Sequence, residues 1–152
     1  FSRAVAYESR KQYDAAIADY DQVTRLQPAN AVAWNSRCWT RAIAGQLPAA
    51  LSDCNEALRL RPGYVNALDS RGLVYLKLGQ PDFAIADYNL ALRVDSKKAS
   101  SLYGRGIAKR RKGDATGSGA DFAAARALKP EIAADFARYG VGGAPEPVAQ
   151  RD

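Results

Sequence analysis

The amino-acid sequence returns to itself every 34 residues without losing register. Arg3, Arg37, Arg71 and Arg105 are evenly spaced, and so are Asp19, Asp53, Asp87 and Asp121. Pro28, Pro62 and Pro130 fall on the same grid, with Ser96 at the fourth place, and Gly45, Gly79 and Gly113 mark another position of it. A fixed period of this length is the mark of a stacked array, in which each unit buries its apolar face only against its neighbours. The expected product is an elongated scaffold and not a compact enzyme.

Residues 31–64 show the unit most clearly. Val32, Trp34, Cys38 and Ala42 recur at helical spacing over a first segment, which Gly45-Gln46 breaks. A second segment places Leu47, Ala50, Leu51, Cys54, Ala57 and Leu58 on one face, until Pro62-Gly63 stops it. Residues 65–98 repeat the plan, with Pro81 opening the second helix where no amide hydrogen is needed. Residues 99–132 repeat it with Gly117 and Gly119 in the second helix, which is therefore expected to be short or frayed. Residues 1–30 form a unit lacking its first four residues, so the chain is expected to be a cut fragment or a processed product. A further helix over 131–139, with Ile132 and Phe136 four apart, is expected to cover the end of the stack. From Gly140 onward Gly, Pro and charge predict a disordered tail.

These units resemble tetratricopeptide repeats. The family pattern sets Trp, Leu-Gly and Tyr on the first helix, followed by Ala, Phe and Pro. Trp34, Cys38, Ala50, Cys54, Ala57 and Pro62 stand at matching places, as do Leu68, Gly72, Tyr75, Ala84, Tyr88 and Ala91. Tyr7, Ala16, Tyr20 and Pro28 match in the first unit, and Leu102, Gly106, Phe122, Ala125 and Pro130 in the last. The resemblance covers about residues 1–139. It implies an all-α, right-handed superhelical solenoid of about four helix–turn–helix units, the first truncated, with a C-terminal capping helix. The short Ala- and Arg-rich units look most similar to bacterial members, in cytoplasm or periplasm.

Arginine departs from that pattern, standing at Arg3, Arg37, Arg71 and Arg105 where the family has Leu. A charge there needs a partner. The periodic aspartates are the obvious candidates, and each is expected to reach the arginine of the following unit, as Asp19–Arg37, Asp53–Arg71 and Asp87–Arg105. Pairing inside one unit is the alternative.

Composition removes other functions. Histidine is absent, and with it the commonest general base, the Ser-His and Cys-His nucleophile pairs and most zinc sites. The paired acids Asp19 and Asp21 invite acid–base chemistry, but carboxylates that recur every 34 residues read as architecture. Cys38 and Cys54, the only cysteines, occupy buried-type positions of one unit. They are read as free core thiols, with a disulfide as the alternative, because the helix spacing places them about one turn out of line for a bond. No catalytic residue, metal or cofactor is expected.

The resemblance implies a concave face lined by first helices and holding a peptide or a partner's helix. Matching repeat positions put Asn35, Trp39, Ile43, Asn66, Asp69, Leu73, Lys77, Tyr103, Ile107 and Arg110 there, with Trp39 the leading anchor. One subgroup of the family clamps chaperone C-terminal carboxylates with basic and Asn side chains, but Phe1 and Val5 offer no such clamp here. The net charge of +6 is concentrated in 97–113, where Lys97, Lys98, Arg105, Lys109, Arg110, Arg111 and Lys112 stand without an acid. The expected partner is a protein or peptide with apolar anchors and an acidic end. Two alternatives are a polyanion or nucleic acid bound through 97–113, and an array that docks or regulates a catalytic domain of a longer protein. Self-association through residues 1–10 is a further expectation.

Overall fold

In the computed structural model, residues 12–142 are described, and all regular structure among them is helical. The helices are α1 (Tyr13–Leu26), α2 (Ala31–Ala44), α3 (Leu47–Leu60), α4 (Val65–Lys77), α5 (Pro81–Val94), α6 (Ala99–Arg111), α7 (Ala115–Leu128) and α8 (Ile132–Arg138). Consecutive helices pack on one another, and the first helices α2, α4 and α6 also pack side by side. The result is a solenoid of helix pairs. The Arg3 repeat position and the proposed self-association segment 1–10 lie outside the described residues.

Each first helix stops in the same way. Gly45, Gly79 and Gly113 adopt φ of 86°, 74° and 86°, a left-handed conformation that glycine reaches without strain. The next amide folds back in each case: Gln46 N donates to Arg41 O, Gln80 N to Tyr75 O and Asp114 N to Lys109 O. This is the Schellman closure, which satisfies carbonyls that a helix end otherwise leaves bare. Two starts are capped by side chains, since Asn30 Oδ1 accepts from Ala33 N and Asp114 Oδ1 from Gly117 N.

The helix expected to be short is not. Helix α7 runs 14 residues, the same as α3 and α5. Gly117 sits in the first turn, held by the Asp114 cap. Burial of Ser118, Phe122 and Ala125 then outweighs the weak propensity of two glycines.

The two helices of a unit cross where residues 16 apart in sequence meet. Glycine makes this close approach possible in the third and fourth units. A Cβ on Gly72 would lie 2.6 Å from the Tyr88 ring, and one on Gly106 would lie 2.7 Å from the Phe122 ring. In the second unit the equivalent residues are Cys38 and Cys54, and they form a disulfide across a Cα–Cα distance of 5.4 Å. This corrects the free-thiol reading. The crossing brings facing residues together whatever their phase along the separate helices, so the thiols are in line.

The arginine pairing also needs correction. Arg37 donates from Nε and Nη2 to both oxygens of Asp53, at 2.9 and 2.7 Å. Arg71 grips Asp87 in the same fork at 2.7 Å for both bonds, and Arg105 grips Asp121 at 2.8 Å for both. The pairs therefore lie within one unit, and Asp19–Arg37, Asp53–Arg71 and Asp87–Arg105 are not formed. The link to the preceding unit exists but uses a residue two places later. Arg37 Nη1 donates to Asp21, Arg71 Nη1 to Asn55 and Arg105 Nη1 to Asn89, at 2.6, 3.0 and 2.9 Å. Helical phase explains the split. Residues two apart on a helix point about 200° from each other, so Asp53 faces its own first helix while Asn55 faces the next unit.

These bonds set the charge state of the arginines. Burial disfavours the Arg37 cation, but its bonds to Asp53 and Asp21 outweigh that and hold its pKa above the ordinary value. The bond to Asp87 does the same for Arg71, and the bond to Asp121 for Arg105, each against desolvation. A bidentate pair on a partly buried carboxylate is the strong form of ion pair, unlike exposed ones.

Candidate functional site

The face formed by α2, α4 and α6, where the groove is expected, is in part filled by the chain itself. Leu73, Tyr103 and Ile107 belong to one buried cluster with Ile132, Phe136 and Val141. The Tyr103 and Phe136 ring centroids are 4.8 Å apart. Beyond α8 the Tyr139 ring meets Trp39 edge-on at 4.8 Å. Lys77 Nζ donates to Tyr139 O at 2.9 Å and to Ala42 O at 2.7 Å. Where the sequence suggests a loose tail from Gly140, Gly140 closes α8 with φ of 81° and Val141 is buried.

An open cleft of about 550 Å³ remains beside this segment. Of the ten residues expected in the groove, Asn35, Trp39, Asn66 and Asp69 line it. Leu73, Tyr103 and Ile107 are core instead, in one buried cluster with Ile132, Phe136 and Val141, and the Tyr103 ring meets Phe136 of α8. Lys77 lines a smaller cavity with Leu47, Leu76, Arg111 and Val141. Ile43 is half-buried at the end of α2 and lines neither cavity. Arg110 turns toward Phe122 of α7, with its guanidinium carbon 5.9 Å from the ring centroid.

The sequence reading missed Lys97, Lys98, Ser100, Lys129 and Tyr139 as lining residues. Lys97, Lys98 and Lys129 come from the turns after α5 and α7, which no first-helix template covers. The 34-residue spacing does not announce them either.

Much of the basic run is engaged internally. Lys109 pairs with Asp121 at 3.1 Å, Arg111 donates to Leu76 O at 2.7 Å and Lys112 pairs with Asp82. Lys77 and Arg111 hold equivalent places, each donating to the final turn of the preceding first helix. A cation there suits the negative end of the helix dipole.

Burial shapes the titration of the cleft. It pushes the Asp69 carboxyl above its ordinary range, against the nearby Lys98 charge and hydrogen bonds from Ser101 and Ser100. Ser101 Oγ donates at 2.6 Å and Ser100 Oγ at 3.0 Å. Burial lowers Lys77, and burial followed by the Asp135 charge raises Tyr139. An acid whose folded pKa is raised adds stability below its unfolded pKa, and loses it as pH rises through the folded value. Asp69→Asn is therefore expected to raise the melting temperature by a few degrees at pH 7. The gain should shrink as pH falls through the raised Asp69 pKa. A lower melting temperature at pH 7 would show that the ionised carboxylate is favourable where it stands.

Comparison with known proteins agrees with this architecture. The tetratricopeptide repeat profile matches residues 1–65 and 70–131, so the chain belongs to the tetratricopeptide repeat family. No curated protein matches it in sequence. Among solved structures, TTC0263, a thermophilic TPR protein of Thermus thermophilus, superposes with a TM-score of 0.81 at 21% identity, covering 91% of this chain and 78% of that one. MamA from Desulfovibrio magneticus RS-1 gives a TM-score of 0.72 at 20% identity, covering 84% and 72%. The first TPR of Spaghetti (RPAP3), bound to the HSP90 peptide SRMEEVD, gives 0.70 at 23%, covering 74% and 89%. At these identities the likeness is one of fold. Repeats of this family generally serve as protein–protein interaction scaffolds. Among the described residues no helix is long and apolar enough to cross a membrane.

Proposed function

We propose that the open concave cleft holds a segment of a partner protein, seating an acidic group among Lys97, Lys98 and Lys129 and an apolar side chain on Trp39. The observation that supports this reading most is the meeting of Lys97 and Lys98 beside Asn35, Asn66 and an aromatic wall of Trp39 and Tyr139, with Lys129, itself paired with Asp135 at 2.7 Å, lining the same cleft. Cations and amide donors fit a carboxylate, and a half-buried Trp fits an apolar anchor. A solved relative of this fold carries a peptide with two consecutive Glu and a terminal Asp. A polyanion reading is weaker, because Lys109, Arg111 and Lys112 of the basic run already have partners in the fold. The disulfide adds that the array suits an oxidising compartment.

Affinity capture with wild type, Trp39→Ala and Lys98→Glu side by side tests the assignment. Each variant is expected to retain about tenfold less of the partner, equivalent to about 1.4 kcal/mol. Identical partners at equal yield from all three would remove the cleft from consideration. A loss of affinity in salt as steep for any polyanion as for the captured partner would favour nucleic acid.

A further inference from the structure

We propose that residues 132–141 act as a built-in ligand of the concave groove, which a partner helix of the same apolar pattern displaces. The inference rests on the reading of the groove as the binding surface, and it adds what the covered half accepts.

Helix α8 begins where the first helix of a fifth unit would begin, and it ends early. It has seven residues, against 13 or 14 in α2, α4 and α6. Its stop is nevertheless the one those helices use. Gly140 N donates to Ala137 O and Val141 N to Phe136 O, the same Schellman pair seen at Gly45, Gly79 and Gly113. Because this closure comes about two turns too soon, the chain leaves the helix inside the groove and not at its rim.

The residues beyond the helix make contacts that cross three units. Tyr139 stands on Trp39 of α2, its carbonyl is held by Lys77 of α4, and Val141 enters the cavity between Leu47, Leu76 and Arg111. Ile132, Phe136 and Tyr139 make an apolar set at i, i+4 and i+7, one face of a helix, and Val141 follows beyond the Gly140 turn. That is the helix-in-groove mode of recognition, supplied here in cis. A seven-residue helix is too short to persist alone and is held by its packing. A partner competes with it, and apparent affinity falls by the fraction of molecules in which the groove is open.

The test uses a synthetic peptide of residues 130–142 as probe, added to the full chain and to the full chain carrying Tyr139→Ala and Val141→Asp. Both proteins carry Trp34→Phe, so that fluorescence reports Trp39 alone. The released chain is expected to bind the peptide at least tenfold more tightly than the parent, and acrylamide is expected to quench its Trp39 more strongly. Peptides with Phe136→Ala should lose that binding. Equal binding by both proteins would overturn the latch and leave the groove reading standing. Trp39 exposed in the released chain, with no peptide bound by either protein, would sink the groove reading and the latch together. Unchanged quenching would show that the segment does not cover Trp39, and would overturn the proposal. Should the double variant lose its helical circular dichroism, Gly140→Ala is read in its place, since a Cβ is strained at that φ.

Discussion

Reduction of the Cys38–Cys54 disulfide is expected to lower the stability of the array by about 3 kcal/mol, the entropy released when a loop of roughly 15 residues is no longer closed in the unfolded chain. For a protein of this size that corresponds to a fall in melting temperature of roughly 6–12 °C. Cys38→Ser with Cys54→Ser should melt at the same lowered temperature with or without reductant. The repeat grid offers a rescue. Neighbouring units fill the same crossing with Gly72 against Tyr88 and Gly106 against Phe122. Tyr20 is likewise fully buried at the place Cys54 holds in its own unit. Cys38→Gly with Cys54→Tyr is therefore expected to recover part of the loss and to be indifferent to reductant. If reductant leaves the wild-type melting temperature unchanged, the bond contributes nothing and the crossing is held by packing alone.

Asp53→Ala is expected to be the most damaging single change among the periodic aspartates, at about 3–5 kcal/mol, the range for removing one partner of a buried ion pair. Asp53 is 2% exposed and binds two cations, Arg37 through a fork and Arg41 at 2.8 Å. Its loss leaves Arg37 and Arg41 to share the single carboxylate of Asp21, which lies 2.6 Å from Arg37 and 3.7 Å from Arg41. Asp87→Ala should cost less, because Asp87 holds one cation, Arg71, where Asp53 holds two, and Arg71 is more exposed than Arg37. At Asp121 burial opposes the charge, but bonds from Arg105 and Lys109 prevail and hold its pKa below the ordinary value. Its contribution is thus present above the unfolded pKa and is lost as pH falls through the folded one. Urea denaturation at pH 7 of the three alanine variants gives the order, and an Asp87 loss larger than the Asp53 loss would contradict it.

The period carried most of the fold. Recurring small residues at Ala16, Ala50 and Ala84 already marked the close contacts, and recurring Gly and Pro marked the stops. What the period could not carry was direction within a helix. It identified Arg37 and Asp53 as members of a pairing set, but the expected partner of Asp53 is Arg71 of the following unit and the fork is with Arg37. That choice depends on phase, and the partner reaching the next unit is Asn55. The same offset of 16 residues joins Cys38 to Cys54, so the disulfide was legible once the arginine forks were known and not before. The groove was less legible than the fold. Templates place Leu73, Tyr103 and Ile107 in the groove, but cannot foresee that they join one buried cluster with Ile132, Phe136 and Val141. Lys97 and Lys98 were legible as part of the basic run 97–113, but Lys129 and its meeting with them in one cleft are visible only in space.

A double-mutant cycle on Asp53 tests most directly the claim that each unit is clamped internally by its own Arg–Asp fork. Urea denaturation of Asp53→Ala, Arg37→Ala, Arg71→Ala and the two combinations gives both coupling energies. The arrangement predicts coupling of about 1 kcal/mol or more between Asp53 and Arg37, and additivity within about 0.5 kcal/mol between Asp53 and Arg71. Strong coupling of Asp53 to Arg71, with additive losses at Arg37, would mean that the clamps run between units.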